Sequence, residues 1–194
     1  MHRYPGRWAF GLTAFFFLLP AALAQTVPER LKLCNACHGE SGNSVIPGTP
    51  SLAGQPALFV ENQLVLIREG VRKVLPVMED AVRGVKDAEI REISRYYATQ
   101  KPVAAQGKPE PALMKQGAAL ARKLHCASCH QADFRGREQM PRLAAQREEY
   151  LESAMNAYRH YTRTGGDTLM AAALYGTTDA DIKALAHYLA KQKP

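Results

Sequence analysis

The pentapeptide C-x-x-C-H occurs twice in this sequence, at residues 34–38 (CNACH) and 126–130 (CASCH). Together the two copies use all four cysteines of the chain, and a histidine follows each pair directly. This repeated use of every cysteine with the same spacing constrains the fold more than any other feature. It requires two similar sites, each built around two thiols and one imidazole.

The C-x-x-C-H spacing is the attachment signature of a c-type haem. Two cysteines three positions apart on a helical turn lie on the same side of the backbone, so both can form thioethers with the haem vinyl groups. The histidine that follows can then reach the iron as the proximal ligand. The sequence therefore predicts two covalently bound haem c groups. The predicted attachment residues are Cys34 and Cys37 with His38, and Cys126 and Cys129 with His130.

Three other uses of paired cysteines explain the pattern less well. A zinc ribbon also uses two C-x-x-C pairs, but separates them by far fewer residues than the 92 found here. Structural disulfides suit an exported protein, yet they give no reason for a histidine after each pair. A thioredoxin-like motif needs a βαβ context, which this sequence lacks.

The whole sequence repeats with an offset of 91 or 92 residues. The segment PSLAGQ at 50–55 returns as PRLAAQ at 141–146. A repeat of this length indicates a duplicated small domain rather than a solenoid. Residues 101–111 are rich in Pro, Gly and Ala and are typical of a linker. We predict domains at 25–100 and 112–194.

The periodicity of apolar residues predicts an all-α fold, with no alternating strand pattern. Helices are expected at 56–71, with Leu58, Phe59 and Leu66 on the apolar face, and at 147–161 and 114–124, the last leading straight into Cys126. A final helix in each half begins near Asp87 and near Thr178, where Thr178 and Asp181 resemble a capping box. The residues expected to be buried by the final helices are Ile90, Ile93, Tyr97, Ile182, Leu185 and Leu189.

The sixth iron ligand follows by elimination in the first domain. After the leader, that domain has one histidine, His38, and one methionine, Met78. Met78 is therefore the predicted distal ligand of haem 1. The second domain offers several methionines and histidines, but Met170 is the counterpart of Met78, each just before the final helix. Met170 is therefore the predicted ligand of haem 2.

The other candidates in the second domain are predicted to serve packing or the surface. Met155 aligns with Leu64 on the apolar face of a helix, which indicates a core position. His125 directly precedes Cys126 and is poorly placed to reach the opposite face of the haem. His160 and His187 have no counterparts in the first domain. With His and Met on each iron, neither centre has an open coordination position for oxygen, peroxide or substrate.

Residues 1–24 have the pattern of a cleaved signal peptide, with Arg3 and Arg7, an apolar run, and the A-x-A site at 22–24. The alternative is a retained membrane anchor, but the run is short for one. The formal net charge of +7 includes both leader arginines. Because the chain has no basic stripe with stacking aromatics, we exclude nucleic acid as a partner. The mature protein is expected in the periplasm.

Taken together, the duplicated C-x-x-C-H, the P-x-L-A-G-Q segments and the late methionines resemble the dihaem class I cytochromes c of the c-four type. The resemblance covers essentially the whole mature chain. It implies two cytochrome c domains related by a pseudo-twofold axis, with haem propionates near their interface. It also implies a non-enzymatic periplasmic electron carrier between a quinol-oxidising complex or dehydrogenase and a terminal oxidase or reductase, with peripheral membrane association possible. Gln131 and Ala145 depart from the family pattern, which has Gly at both positions.

Two alternative functions and one pair of residues stay open at this point. The chain could be the cytochrome subunit of a periplasmic dehydrogenase such as a flavocytochrome. A dihaem peroxidase is less favoured, because it needs a larger chain and an open haem. Arg72 and Arg163 occupy matching positions and either pair with haem propionates or lie on a solvated helix face. Pro50 and Pro141 are expected to shape a loop over the proximal histidine, whose ring N–H needs an acceptor such as a backbone carbonyl.

Overall fold

The computed structural model describes residues 26–194, so the predicted leader at 1–24 lies outside the described residues. Within that range the chain is helical and forms no β-strand, which confirms the all-α prediction. The helices in chain order are α1 (Val27–His38), α2 (Ala57–Arg68), α3 (Pro76–Val82), α4 (Asp87–Thr99), α5 (Pro111–Lys123), α6 (Cys126–His130), α7 (Glu148–Arg159), α8 (Thr168–Ala173) and α9 (Asp179–Ala190). No helix in residues 26–194 is both long and apolar enough to cross a membrane.

Each half of the chain has its own apolar core. In the first half α4 packs against α1 and α2, and in the second half α9 packs against α5 and α7. The final helices bury the six residues expected of them, which are Ile90, Ile93, Tyr97, Ile182, Leu185 and Leu189. The capping box at the start of α9 is also confirmed, with Thr178 and Asp181 bonded to each other's backbone N–H.

The apolar face predicted for α2 is partly wrong. Leu58 is 42% exposed, whereas Val60, Leu64 and Ile67 form the buried stripe. The segment is apolar on nearly every side, so periodicity alone did not determine which stripe faces the core. In α7 the expected core position of Met155 is confirmed, since this side chain is buried.

The two halves present their C-x-x-C-H motifs on different backbones. Helix α1 runs without interruption through Cys34 to His38. Helix α5 ends at Lys123, and His125 adopts a left-handed conformation (φ 55°) before α6 begins at Cys126. The expectation that this helix leads straight into the motif is therefore wrong. A break here allows α5 and α6 to take different directions.

Two short helices were not anticipated, and they carry the predicted distal methionines. Helix α3 starts with Pro76, whose fixed φ and missing N–H suit a first helical turn. Helix α8 is capped by Asp167, whose side chain accepts from Leu169 N–H. Both helices are too short to give a readable apolar period, so only the positions of Met78 and Met170 pointed to these segments.

Candidate haem-binding sites

The first cysteine–histidine site lies at the C-terminal end of α1. Both thiols are free; that of Cys34 is partly buried and that of Cys37 is exposed. The His38 side chain is buried, and its Nδ1 atom hydrogen-bonds the carbonyl oxygen of Pro50 at 2.8 Å. Because a carbonyl can only accept, Nδ1 carries the proton. The lone pair of Nε2 is then available to a metal.

The second site repeats this geometry in the other half. Cys126 is partly buried and Cys129 exposed, both with free thiols. His130 is buried, and its Nδ1 atom donates to the carbonyl oxygen of Pro141 at 2.9 Å. These two bonds confirm that each ring N–H donates to a backbone carbonyl, and the structure identifies the acceptors as Pro50 and Pro141. Such a bond fixes the ring orientation and increases the basicity of the ligating nitrogen.

The electrostatics of both sites favour neutral imidazole rings and protonated thiols. Burial lowers the pKa of His38 and of His130, and the hydrogen bonds to Pro50 and Pro141 oppose this only in part. Neutral imidazole, the ligating form, is therefore the resting state of both rings at neutral pH. Burial also raises the thiol pKa of Cys34 and Cys126.

Additional residues hold the first motif against its loop, and the sequence reading did not identify them. The Ser44 hydroxyl donates to the carbonyl of Cys37, and Ser44 N–H donates to the hydroxyl of Ser51. From α4, the buried Tyr97 hydroxyl donates to the side-chain oxygen of Asn35 at 2.8 Å. The second half has Gly136 where the first has Ser44, and its N–H donates to the carbonyl of His130. Since these partners differ between the copies, the repeat gave no signal for them.

The structure places each predicted distal methionine against the core of its own half. Met78 and Cys34 pack on the first core, and Met170 and Cys126 pack on the second. An apolar cavity beside Cys34 is lined by Leu64, Val82, Ile90 and Ile93. Each half thus contains a thiol pair, a free imidazole nitrogen and a methionine thioether that packs on its apolar core. This donor set fits a c-type haem, with the cysteines as covalent attachment points.

The remaining histidines take the packing and surface roles expected of them. His187 is buried in α9, where Nε2 accepts from Glu110 N–H at 2.8 Å and Nδ1 bonds the Glu148 carboxylate at 3.0 Å. These bonds tie α9 to the starts of α5 and α7. His125 and His160 are both exposed.

Arg72 and Arg163 do not lie on solvated helix faces. They are partly buried, and both donate to the side-chain oxygen of Gln63. The Arg163 guanidinium also lies 4.8 Å from the ring centroid of Tyr158. Burial raises the Tyr150 pKa, but the two guanidinium groups more than offset this and leave it lowered. Within residues 26–194 neither arginine has a carboxylate partner, so the pair forms a site suited to an anion.

Comparisons with known proteins agree with this geometry. A family profile described as cytochrome c matches residues 114–193. Cytochrome c4 of Pseudomonas aeruginosa is 33% identical over 168 residues, which is 81% of this chain and 82% of the relative. A protein named thiosulfate dehydrogenase electron acceptor, from Thiomonas intermedia, is 31% identical over 93% of this chain and 88% of its own length. The crystal structure of reduced recombinant cytochrome c4 from Pseudomonas stutzeri superposes with a TM-score of 0.77 at 32% identity, covering 84% of this chain and 96% of that one.

Proposed function

The chain belongs to the cytochrome c4 family of dihaem cytochromes c, and from this we propose that it carries electrons in the periplasm through two covalent haem c groups. Its donor would be a quinol-oxidising complex or a dehydrogenase, and its acceptor a terminal oxidase or reductase. Proteins of this family transfer electrons and are not enzymes. The fold is that of two tandem cytochrome c domains, as in the solved relative.

The observation that carries this proposal is the duplicated proximal site. In each half a buried histidine follows two free thiols and donates its Nδ1 proton to a proline carbonyl, at 2.8 Å for His38 and 2.9 Å for His130. The haem, when bound, supplies an iron that exchanges one electron. The protein supplies covalent attachment, a fixed imidazole orientation and an apolar enclosure that limits access of water.

We assign the distal positions to Met78 and Met170. Both lie on short helices that follow the second long helix of their half, and both pack against the core that also contacts the first cysteine of the motif. A soft thioether favours the reduced metal relative to a second imidazole and raises the potential. Two closed coordination spheres suit electron transfer and disfavour peroxide turnover.

The paired guanidinium groups of Arg72 and Arg163 support a place for the haem propionates at the boundary between the halves. Two adjacent cations that share one neutral acceptor, the Gln63 side chain, are stabilised by nearby negative charge. Propionates would supply that charge from both haems.

A second candidate function is that of the electron-accepting subunit of a periplasmic dehydrogenase. The similarity to a protein named thiosulfate dehydrogenase electron acceptor favours it. The fold is alike in both cases, and only the partner differs.

The experiment that tests the proposal is a redox titration of protein matured in a host that attaches haem c, with haem counted per chain. We expect two haems and two one-electron steps. Colourless protein, one haem per chain, or rapid peroxide turnover would contradict the proposal. Stable co-purification with a catalytic subunit would favour the dehydrogenase role over the free carrier.

A further inference from the structure

The two segments that supply the proximal carbonyls also contact each other across the boundary between the halves. Gln146, in the second half, accepts a hydrogen bond from the backbone N–H of Ser51 at 2.7 Å through Oε1. Its Nε2 atom donates to the carbonyl oxygen of Ser51 at 2.9 Å. Gln146 is 2% exposed, so this pair of bonds is shielded from water.

The same contact is made in the opposite direction. Gln55, in the first half, accepts from the backbone N–H of Arg142 at 3.0 Å and donates to the Arg142 carbonyl at 3.0 Å. Gln55 is 3% exposed. Gln55 and Gln146 are counterparts in the repeat, as are Ser51 and Arg142, so the two contacts are related by the internal symmetry.

The orientation of each side-chain amide is fixed by its partner. A backbone N–H can only donate and a carbonyl can only accept, so Oε1 must face the N–H and Nε2 the carbonyl. A flipped amide would place its NH2 group against the backbone N–H and its oxygen against the backbone carbonyl. Each glutamine therefore presents an acceptor oxygen to one particular peptide N–H.

These peptide N–H groups belong to the same peptide units that hold the proximal histidines. The carbonyl of Pro50 and the N–H of Ser51 form one planar amide, and the carbonyl accepts from His38 while the N–H donates to Gln146. The carbonyl of Pro141 and the N–H of Arg142 likewise join His130 to Gln55. Each imidazole is thus linked through a single amide to a side chain of the other half.

We propose that Gln55 and Gln146 are crossed positioning residues, each of which sets the reduction potential of the haem in the opposite half. This rests on the proposed function, because it requires a haem on each histidine. Hydrogen bonds in a chain polarise one another. An acceptor on the Ser51 N–H makes the Pro50 carbonyl a stronger acceptor, which increases the electron donation of His38 to iron.

The sign of the effect follows from this chain of bonds. A more basic imidazole stabilises the oxidised iron and lowers the potential. Removing the Gln146 acceptor raises the potential of the haem on His38, and removing the Gln55 acceptor raises that of the haem on His130. The effect crosses the domain boundary, which distinguishes it from a local packing defect.

The test uses the full-length holoprotein with Gln55→Met and Gln146→Met, which keep the side-chain length and remove both hydrogen bonds. Each haem is followed by NMR during a redox titration, with its methyl resonances assigned through contacts to its own half. We expect Gln146→Met to shift the oxidised-to-reduced ratio of haem 1 toward the reduced form by about threefold, or about 28 mV for one electron. Gln55→Met should do the same to haem 2.

Thr164→Val is the matched control. Its hydroxyl accepts from the backbone N–H of Lys73 at 2.7 Å, so it also removes a hydrogen bond between the halves but touches neither proximal peptide. We expect no selective shift of either potential. A shift in the variant's own half, an equal shift of both haems, or unchanged potentials in the glutamine variants would overturn the proposal.

A second measurement on the unmodified protein covers the case in which a variant does not fold. An oxidised iron makes each imidazole N–H a stronger donor, so oxidation should strengthen the hydrogen-bond chains from His38 to Gln146 and from His130 to Gln55. The Ser51 and Arg142 amide protons should then exchange with solvent more slowly in the oxidised than in the reduced protein, with the Lys73 amide as the reference. An equal change in the exchange rates of all three amides would overturn the proposal. If the unmodified protein does not titrate as two haems, the proposed function itself has failed.

Discussion

Gly39 and Gln131, the residues that follow His38 and His130, share nearly the same backbone conformation. Their φ and ψ angles are 81° and 161° for Gly39 and 71° and 160° for Gln131. This region is open to glycine and strained for every residue with a Cβ. The second domain therefore holds a non-glycine residue in a conformation that its turn requires but its side chain disfavours.

We expect Gln131→Gly to stabilise the second domain. Relief of the strained backbone is worth about 1–3 kcal/mol, and the added freedom of the unfolded chain costs about 0.4–1 kcal/mol. A net gain of about 1 kcal/mol should appear in chemical denaturation of the holoprotein. The matched control is Gly39→Ala, whose Cβ would lie 2.0 Å from the carbonyl oxygen of Asn43. That variant should be strongly destabilised, and a neutral result at both positions would show that the turn relaxes freely.

The methionine assignment predicts the spectra of single variants. Met78→Ala and Met170→Ala should each remove about half of the methionine–iron charge-transfer absorption of the oxidised protein, because each removes one of two ligands. Each should also open one reduced iron to carbon monoxide. Met155→Leu is the control, since this buried methionine lies in the core of the second half and should leave the absorption intact. Full absorption in Met78→Ala would eliminate that residue as a ligand.

The arginine pair predicts a dependence of potential on charge. If Arg72 and Arg163 neutralise propionates, Arg163→Gln should leave a negative charge uncompensated and favour oxidised iron. The loss should favour the oxidised form by roughly 1 kcal/mol, which is a fall in potential of about 40 mV for one electron, in at least one haem. Arg95→Gln, an exposed position on α4, should have little effect.

A double-variant cycle makes the arginine prediction sharper. Because both guanidinium groups bond the same Gln63 oxygen, the shifts from Arg72→Gln and Arg163→Gln should not add. Simple additivity, or shifts as small as that of Arg95→Gln, would place the propionates elsewhere.

Acid should weaken the start of the last helix of the second domain. The hydrogen bond from Thr178 N–H lowers the pKa of Asp181 from its ordinary value of 3.8. A carboxyl whose folded pKa is depressed contributes stability above its unfolded pKa and loses it as the pH falls through the folded value. We expect thermal stability to decline below about pH 3.8, and Asp181→Asn to flatten this decline while reducing stability at neutral pH.

Melting curves between neutral pH and pH 2.5 check this expectation. The control is Asp133→Asn, which removes an exposed carboxylate away from any helix start and should leave the slope unchanged. Equal flattening by both variants would attribute the acid effect to net charge rather than to the cap.

Much of the fold could be predicted from the sequence because the repeat presents each feature twice. The final helices needed only an apolar period and a cap, and the burial of Ile90 and Ile182 followed. The need of each ring for a backbone acceptor could also be predicted, because a ligating imidazole holds its other N–H in a hydrogen bond, but only the structure identified Pro50 and Pro141 as the acceptors. The buried stripe of α2 could not be predicted, because Leu58 and Val60 are both apolar and only packing decides which of them faces the core.

The P-x-L-A-G-Q segments show which contacts the sequence alone does not predict. Their prolines could be given a role within one domain, but their glutamines act across two, and no local pattern states which backbone a side-chain amide will reach. The left-handed break at His125 could not be predicted either, because histidine is enriched at positive φ but adopts it in only a minority of cases.

The sequence by itself determined the chemistry of the two sites, because C-x-x-C-H fixes the donor atoms, their spacing and their number within a few consecutive residues. Only the tertiary structure decided how those sites are joined. The contact of Gln146 with Ser51 and the meeting of Arg72 with Arg163 link residues about 90 positions apart. Such contacts depend on how two separately cored halves dock, and docking is settled by the shape and polarity of whole surfaces rather than by any local run of residues.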